Sequence, residues 1–275
     1  MWVDGFASDS LPVTDRGLNY GDGLFETIRV EHGGAPLLER HLSRLRTGCA
    51  RLALPLPGPQ ALRRELSAAC DGMEEGILKL VVTRGSGGRG YAPPEAPSCR
   101  RVISTHPLPD YPRSRYRDGV SVRLCTTPLG THPATAGLKH LGRLDQVLAS
   151  MEPPAGTAEG LMCDASGQVI EGIRSNLFLV RGGQLLTPDL AGSGVAGVMR
   201  GLVLDLAPSL DLEPVIEPVS TDDLLRCDEM FLSSSIFGIW PVREVRALTG
   251  FETVGPATRR LMSAVAALGV KQWAP

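Results

Sequence analysis

Residues 107–119, "PLPDYPRSRYRDG", interrupt the hydrophobic patterning of the chain, because they are rich in proline and charge and show no periodicity. Strand and helix patterns occur on both sides of this segment and intermix without a strict βαβ order. That arrangement favours an α+β fold in two lobes over a single doubly wound sheet. We therefore predict an N-terminal α+β lobe over residues 1–112, a linker at 113–119 and a C-terminal α/β lobe over 120–275.

The spacing of apolar residues predicts the individual elements. Residues 36–54 place one helical face at Leu38, His41, Leu42, Leu45, Cys49 and Leu52. Further helices are predicted near 59–71, from about Leu141, and from the "GVAGVMRG" motif to Pro208. Strands are predicted at 23–30, at 76–85, within 100–108, at 120–126, as a pair around 159–181 and within 229–242.

Composition argues against several classes of protein. With 275 residues and 43% hydrophobic content, the chain is long enough for a sizeable core. The net charge of -2 gives no basis for binding nucleic acid or an anionic membrane. No apolar run approaches the roughly 20 residues that span a bilayer. The first residues, "MWVDGFASDS", lack the basic and apolar regions of a signal peptide, so we expect a cytoplasmic protein.

Cysteines and histidines show no metal-binding pattern. The six cysteines are scattered without a C-x-x-C pair, at positions 49, 70, 99, 125, 163 and 227. The five histidines lack the H-E-x-x-H spacing of a zinc site. We therefore expect reduced thiols in the core or at the surface, and no bound metal.

The chain takes its positive charge almost entirely from 25 arginines and has three lysines, Lys79, Lys139 and Lys271. Arginine stays protonated at any reachable pH, whereas a buried lysine can lose its proton and bond covalently to an aldehyde carbon. Lys139, in "GLKHLGRLDQ", is the candidate for such chemistry, although a lone lysine does not establish it.

Three other stretches carry candidate functional groups. Glu171 precedes an apolar strand in "EGIRSNLFLV", where a carboxylate is either functional or simply solvated or paired with an arginine. The N–H groups of Val198 and Met199 begin an apolar helix and suit an anion, although many such helices bind only water. The triple serine of "FLSSSIFGIWP" could hold further anion oxygens, or could be a polar strand end. Arg44 is a phosphate ligand or a solvated arginine.

Seven motifs together resemble the class IV aminotransferase-like pyridoxal-phosphate proteins, and among them the aminodeoxychorismate lyases. The resemblance runs from about residue 2 to about residue 245. The motifs are "DRGLNYGDGLFETIRV", "RHLSRLRTGCARL", "LKLVVTRGSGGRGY", "GLKHLGRLDQVL", "EGIRSNLFLV", "GVAGVMR" and "SSSIFGIWPV". Fold type IV, with two lobes, and a homodimer whose substrate pockets include residues of the neighbouring subunit are what this resemblance implies.

The resemblance also implies a role for each matching residue. Lys139 matches the lysine that bonds covalently to pyridoxal 5'-phosphate and moves protons during the reaction. Arg44 matches the phosphate-binding arginine, and Glu171 matches the carboxylate on the pyridine nitrogen. The remaining phosphate contacts are implied for Val198, Met199, Ser235 and Ile236. Gly142 departs from the motif of the lyases, which usually has asparagine there.

Six residues are expected on the substrate side. The resemblance implies Tyr20, Phe25 and Arg29. The substrate of the lyases carries two carboxylates, which call for cationic contacts and hydroxyl donors. Arg84, Arg89 and Tyr91 are the further candidates, since all three lie in the "RGSGGRGY" motif that distinguishes the lyases from the aminotransferases.

The activity implied is conversion of 4-amino-4-deoxychorismate to 4-aminobenzoate and pyruvate, a step of folate biosynthesis. A class IV aminotransferase acting on D-alanine or branched-chain amino acids is the alternative, because it would use the same lysine, glutamate and phosphate ligands. A non-catalytic binding or scaffold protein is a third interpretation, which the presence of Lys139 argues against.

Overall fold

The computed structural model describes residues 1–154 and 156–270, and the chain forms two compact units. Unit 1 comprises Met1–Pro109 together with Leu138–Gly142. Unit 2 comprises Asp110–Gly137 and the chain from Arg143 onward. Whether the chain folds as separate domains divided at residues 113–119 stays a prediction.

Unit 1 combines one sheet with three helices. Its elements are β1 (Trp2–Val3), β2 (Phe6–Ala7), α1 (Arg16–Tyr20), β3 (Gly23–Glu31), α2 (Leu38–Arg51), α3 (Pro59–Cys70), β4 (Glu75–Thr83) and β5 (Arg100–His106). The strands pair antiparallel in the order β2-β1-β5-β4-β3. The strands predicted at 23–30, at 76–85 and within 100–108 are confirmed, as are the helices predicted within 36–54 and near 59–71.

The core of unit 1 forms where α2 and α3 cover one face of this sheet. On α2, His41, Leu42, Leu45 and Cys49 are buried, as the helical spacing predicts. Along β3 every second side chain points the same way, so Leu24, Glu26, Ile28 and Val30 share the buried face. This pattern places a carboxylate among aliphatic side chains, and the site described below depends on it.

The helix predicted from about Leu141 forms, but it begins three residues later, at Leu144. Residues 138–142 lie against β3, where the N–H of Phe25 donates to the carbonyl of Lys139 at 2.9 Å. The N–H of Leu141 donates back to the carbonyl of Gly23 at 3.0 Å. Because these residues pair with a strand, the helix begins only at Leu144.

Unit 2 is built on a larger mixed sheet. Its elements are α4 (Ser114–Arg117), β6 (Val120–Leu124), α5 (Leu144–Met151), β7 (Glu159–Cys163), β8 (Val169–Gly172), β9 (Asn176–Arg181), β10 (Gln184–Pro188), α6 (Val198–Leu206), β11 (Glu213–Glu217), α7 (Thr221–Arg226), β12 (Glu229–Ser234), β13 (Gly238–Val245), β14 (Thr249–Gly250) and α8 (Pro256–Ala267). A short 3₁₀ helix, Ala207–Leu210, follows α6. The strand order is β11-β10-β9-β12-β13-β6-β7-β8, and β14 pairs with β13.

Parallel and antiparallel pairs mix in the sheet of unit 2. The pairs β10/β11, β13/β6 and β6/β7 are parallel. The segment predicted as a linker contains α4, whose Tyr116 is 4% exposed and meets the ring of Trp240 edge-on at 6.5 Å. Burial of this tyrosine explains why a segment rich in charge is ordered here.

Segregated antiparallel and mixed sheets with helices make the α+β class, which confirms the predicted fold class. Among residues 1–154 and 156–270, no helix is long and apolar enough to cross a membrane. The same residues contain no group of three or more histidine, cysteine, aspartate or glutamate side chains that could hold a metal ion.

Candidate active site

Lys139 is fixed in unit 1 by its own backbone. Beside the two hydrogen bonds to β3, His140 forms an isolated antiparallel bridge with Leu24. The Nζ atom of Lys139 lies 4.3 Å from the ring centroid of Phe25, and the side chain is half-buried. Lys79, on the neighbouring strand β4, is exposed. The structure thus shields Lys139 from solvent more than Lys79 and places its amine closer to the ring of Phe25.

A buried carboxylate holds Arg44. Glu26 is 1% exposed, and its Oε1 accepts a hydrogen bond from Nε of Arg44 at 2.8 Å. Its Oε2 accepts from the same guanidinium and from Nδ1 of His41, at 2.6 Å. Arg44 is thereby bound through two donors, which rules out the solvated alternative and fixes the plane of its guanidinium.

Charge and burial oppose each other in this cluster. Burial raises the pKa of the Glu26 carboxyl, but hydrogen bonds from His41 and Arg44 outweigh it and lower the pKa to about 2. Burial lowers the pKa of His41, while the hydrogen bond to Glu26 opposes that shift. Glu26 is therefore ionised and His41 neutral at pH 7. Nε2 of His41 is buried and has no hydrogen-bond partner in the described part of the chain.

Gly142 lies beside His140. A Cβ atom at this position would be 3.3 Å from Nδ1 of His140. An asparagine, as in the motif of the lyases, would therefore contact that ring. The departure at Gly142 leaves the backbone hydrogen bonds of Lys139 unchanged, because they come from residues 23–25 and 139–141.

Two predicted substrate residues lie together in unit 1. The rings of Tyr20 and Tyr91 are 5.6 Å apart, and Tyr91 is 86% exposed. Arg89 is exposed in the same glycine-rich loop as Tyr91. Phe25 lies under Lys139, as described above. These positions are compatible with contact to a ligand, and the roles themselves stay predictions.

The remaining two predicted substrate arginines have protein partners. Arg84 is 8% exposed, and its guanidinium donates to both carboxylate oxygens of Asp22, at 2.7 and 3.0 Å, and to the carbonyls of Leu52 and Ala53. These partners indicate a structural role for Arg84, and its predicted contact with substrate stays a prediction. Arg29 pairs with Glu31 at 2.5 Å.

Glu171 lies on β8 in unit 2 and is 4% exposed, so the solvated alternative does not hold. Its Oε2 accepts a hydrogen bond from the N–H of Val195 at 2.8 Å. The preceding residue, Gly194, has φ +83°, and a Cβ there would lie 2.8 Å from Leu190 and 3.3 Å from Oε2 of Glu171. Glycine is required because the chain turns tightly against this carboxylate.

Asn176 positions the start of α6, where Val198 and Met199 lie. Its Nδ2 donates to the carbonyl of Val195 at 2.9 Å. A Cβ on Gly197, the residue before α6, would lie 1.9 Å from Oδ1 of Asn176. No side chain caps α6. The first N–H groups of a helix lack intrahelical partners, so this end suits an anion.

Ser235 and Ile236 lie in the turn between β12 and β13 in unit 2. The N–H of Ile236 donates to Oγ of Ser234 at 3.3 Å. Ser233, the first of the three serines, is 1% exposed and belongs to the buried part of β12. The triple serine therefore runs from the core into a turn, and only its last residue is a candidate ligand.

The sequence analysis did not identify four residues whose side chains bind or position the predicted site residues or their loops. They are Arg16, Glu26, His41 as a polar partner, and Asn176. A signal for Glu26 was present, since a charged residue occupies an inward position in the alternating strand "GLFETIRV". No comparable signal marks Asn176, because its contact with Gly197 joins positions 21 residues apart.

Comparison with known proteins decides the family. The Amino-transferase class IV pattern matches residues 23–245. The chain belongs to this family. It is similar to aminodeoxychorismate lyase of Vibrio harveyi, with 34% identity over 95% of this chain and 97% of that protein. The family predicted from the motifs is confirmed, and with it pyridoxal phosphate as the cofactor.

The fold of this class IV chain is also similar to those of solved structures. A 4-amino-4-deoxychorismate lyase from Pseudomonas aeruginosa has a TM-score of 0.92 and 50% identity, covering 97% of this chain and 98% of that one. The branched-chain amino acid aminotransferase of Escherichia coli has a TM-score of 0.85 and 25% identity, covering 99% and 95%. The predicted fold type IV is confirmed.

Proposed function

We propose that this chain is a pyridoxal-phosphate-dependent carbon–oxygen lyase that converts 4-amino-4-deoxychorismate to 4-aminobenzoate and pyruvate. The observation that carries the proposal is the 50% identity, over 97% of this chain, to a structure named as that lyase. The aminotransferase compared above reaches 25%. The "RGSGGRGY" loop, which distinguishes the lyases within the family, supports the same choice.

The residues of the two units fit the cofactor chemically. A half-buried amine at Lys139 suits the aldehyde, and the Arg44 guanidinium, fixed by Glu26, suits a phosphate dianion. The uncapped start of α6, at Val198 and Met199, offers further N–H donors. Ser235 and Ile236 complete the proposed phosphate contacts. Buried Glu171 suits a protonated pyridine nitrogen, because a carboxylate stabilises that positive charge.

The mechanism follows from what these residues can do. When bound, pyridoxal phosphate supplies an electron sink for the substrate carbon that carries nitrogen. Lys139 takes the proton from that carbon, C4 of the carbocycle. The C3–O bond then breaks and releases enolpyruvate, which takes up a proton at its methylene carbon to give pyruvate, so that the proton lost from C4 is balanced. The ring becomes aromatic, which makes the elimination strongly downhill. Glu171 would accept a hydrogen bond from the pyridine nitrogen, and Arg44 would hold the phosphate in place.

The substrate side is proposed for five residues. Arg29 and Arg89 are the cationic candidates for the two substrate carboxylates, and Tyr20 and Tyr91 are hydroxyl donors. Phe25 would shape the site beneath the Lys139 amine, where its ring now lies. Exposed Arg89 and Tyr91 belong to one loop, so a single segment would supply two of these contacts.

The function is tested by supplying aminodeoxychorismate, generated from chorismate by its synthase, and measuring 4-aminobenzoate and pyruvate. We expect equal amounts of both products without a keto-acid acceptor. A parallel incubation with D-alanine or leucine, followed by 2-oxoglutarate, tests the aminotransferase alternative. Rapid conversion of the cofactor to its amine form, without 4-aminobenzoate in the first assay, would contradict the lyase.

A homodimer is also part of the proposal, supported by the apolar surface of α5 in unit 2. Leu144, Val147, Leu148 and Met151 lie at helical spacing and are 74%, 52%, 52% and 74% exposed. Apolar stripes of this kind are typical of surfaces that another chain covers. The occupant we propose is a second copy of this chain.

Leu148→Asp is therefore expected to convert a dimer to a monomer, because it places a charge within the apolar stripe. Sedimentation velocity at micromolar concentration measures the change. Ser150→Asp is the matched control, since Ser150 is exposed on the same helix but outside the stripe. A Leu148→Asp protein that sediments like the wild type would exclude this helix from the dimer.

A cytoplasmic location completes the proposal. All six cysteines are free thiols, which is the usual state in a reducing compartment.

A further inference from the structure

Arg16 holds the glycine-rich loop from inside unit 1. It begins α1 and is 4% exposed. Its guanidinium donates to three carbonyls of the loop, those of Gly90 at 3.0 Å, Tyr91 at 2.8 Å and Ala92 at 3.3 Å. One planar cation thus satisfies three successive peptide groups. A lysine ammonium does not reproduce this planar array of donors.

Asp22 anchors this arginine in turn. Its Oδ2 accepts a hydrogen bond from Nε of Arg16 at 2.9 Å. The same carboxylate binds Arg84, whose other donors reach the carbonyls that follow α2. Burial raises the pKa of Asp22, but hydrogen bonds from Arg84 and Arg16 outweigh it and lower the pKa. Asp22 therefore stays ionised between the two arginines near neutral pH.

The loop also folds around the arginine side chain. A Cβ on Gly87 would lie 2.9 Å from Cδ of Arg16 and 3.3 Å from Cδ of Pro94. The Arg16 guanidinium lies 4.8 Å from the ring centroid of Tyr20, which in turn contacts the ring of Tyr91. The backbone of the loop thus contacts this guanidinium directly, and the ring of Tyr91 contacts Tyr20, the ring beside the guanidinium.

We infer that Arg16 is a positioning residue, which holds residues 87–92 so that Arg89 and Tyr91 are presented to the substrate. This inference rests on the proposed function, because it takes Arg89 and Tyr91 as substrate contacts. Arg16 itself contacts the loop backbone through its guanidinium. Its loss therefore weakens substrate binding while leaving the covalent attachment of the cofactor at Lys139 intact.

Arg16→Lys tests the inference with two readouts. We expect the KM for aminodeoxychorismate to rise about tenfold or more, with a smaller change in kcat, because the loop loses its fixed geometry. We also expect faster trypsin cleavage after Arg89, followed by mass spectrometry. Borohydride labelling of Lys139 should match the wild type. Arg100→Lys, at a partly buried ion pair with Asp4 elsewhere in the unit, is the control and should change neither readout.

Gly87→Ala is the second variant, because its added methyl displaces the loop from Arg16 without removing a charge. We expect the same rise in KM. Unchanged KM and unchanged Arg89 cleavage in both variants would overturn the inference. Trypsin cleavage that is faster at sites all along the Arg16→Lys chain, together with loss of cofactor labelling at Lys139, would also overturn the inference. That result would show that Arg16 stabilises the whole fold and does not act on the loop alone. A wild type without lyase activity refutes the proposed function separately, and the Arg89 cleavage rate then decides whether Arg16 holds the loop.

Discussion

Lys139→Ala is expected to abolish formation of 4-aminobenzoate, by about four orders of magnitude or more, and to remove the yellow colour of the lysine-bound cofactor. Both effects have one cause, since the same amine bonds to the cofactor and takes the proton from the substrate carbon. Product release and the visible absorption spectrum of purified protein measure them independently.

Lys79→Ala is the matched control for this prediction. Lys79 lies on β4 with its Nζ 5.8 Å from the ring centroid of Phe25, so it approaches the same ring as Lys139 but is exposed. We expect wild-type activity and colour from this variant. Loss of colour in Lys79→Ala, with colour retained in Lys139→Ala, would show that the cofactor is bound at Lys79 and would contradict the assignment to Lys139.

Glu26→Gln is expected to lower the free energy of unfolding by about 3 kcal/mol at pH 7. The wild-type carboxyl pKa falls from 4.5 to about 2 on folding, and each unit corresponds to about 1.4 kcal/mol. The substitution replaces the charged carboxylate with a neutral amide, so the Arg44 guanidinium loses its ionic partner in the core. Denaturant titration measures the stability. Titration with pyridoxal phosphate should show weaker binding, because Arg44 is then less firmly held.

The pH dependence gives the sign of this effect. A lowered carboxyl pKa stabilises the fold above the unfolded value of 4.5, and the contribution is lost as the pH falls toward 2. The stability difference between wild type and Glu26→Gln should therefore shrink below pH 4.5. Glu39→Gln, at an exposed ion pair with Arg63, should change stability little at any pH. A constant difference from pH 7 to pH 3 would refute the ionised state of Glu26.

Periodicity was sufficient to predict much of the fold. The α2 face predicted from Leu42, Leu45 and Cys49 is buried, and the strands at 23–30 and 76–85 form as predicted. These elements carry their own signal, because a repeat of 3.6 or 2 residues records which side chains are buried. Elements whose conformation depends on a distant part of the chain show no such local pattern.

The segment around Lys139 shows where this local signal ends. Its apolar residues permit a helix, and the prediction began one near Leu141. The chain instead pairs residues 139 and 141 with Phe25 and Gly23, more than a hundred positions earlier. Only the tertiary partner decides between the two backbone conformations, so the spacing of residues in the segment does not contain the answer.

The roles of the arginines were the hardest to predict from the sequence. Arg84 was predicted to contact substrate, but it binds Asp22. Arg16 went unnoticed, although it holds three loop carbonyls. The chain has 25 arginines, and the chemistry of a guanidinium is the same in all of them. Its role depends on which acceptors lie within reach, and that is known only from the structure.

Borohydride reduction of the purified protein, followed by peptide mapping, tests the central claim most directly. Reduction makes the bond between the cofactor and its lysine permanent, so mass spectrometry identifies the attachment site. We predict a single pyridoxyl-modified peptide, modified at Lys139. Modification at Lys79 or Lys271, or no modified peptide in protein that makes 4-aminobenzoate, would contradict the account.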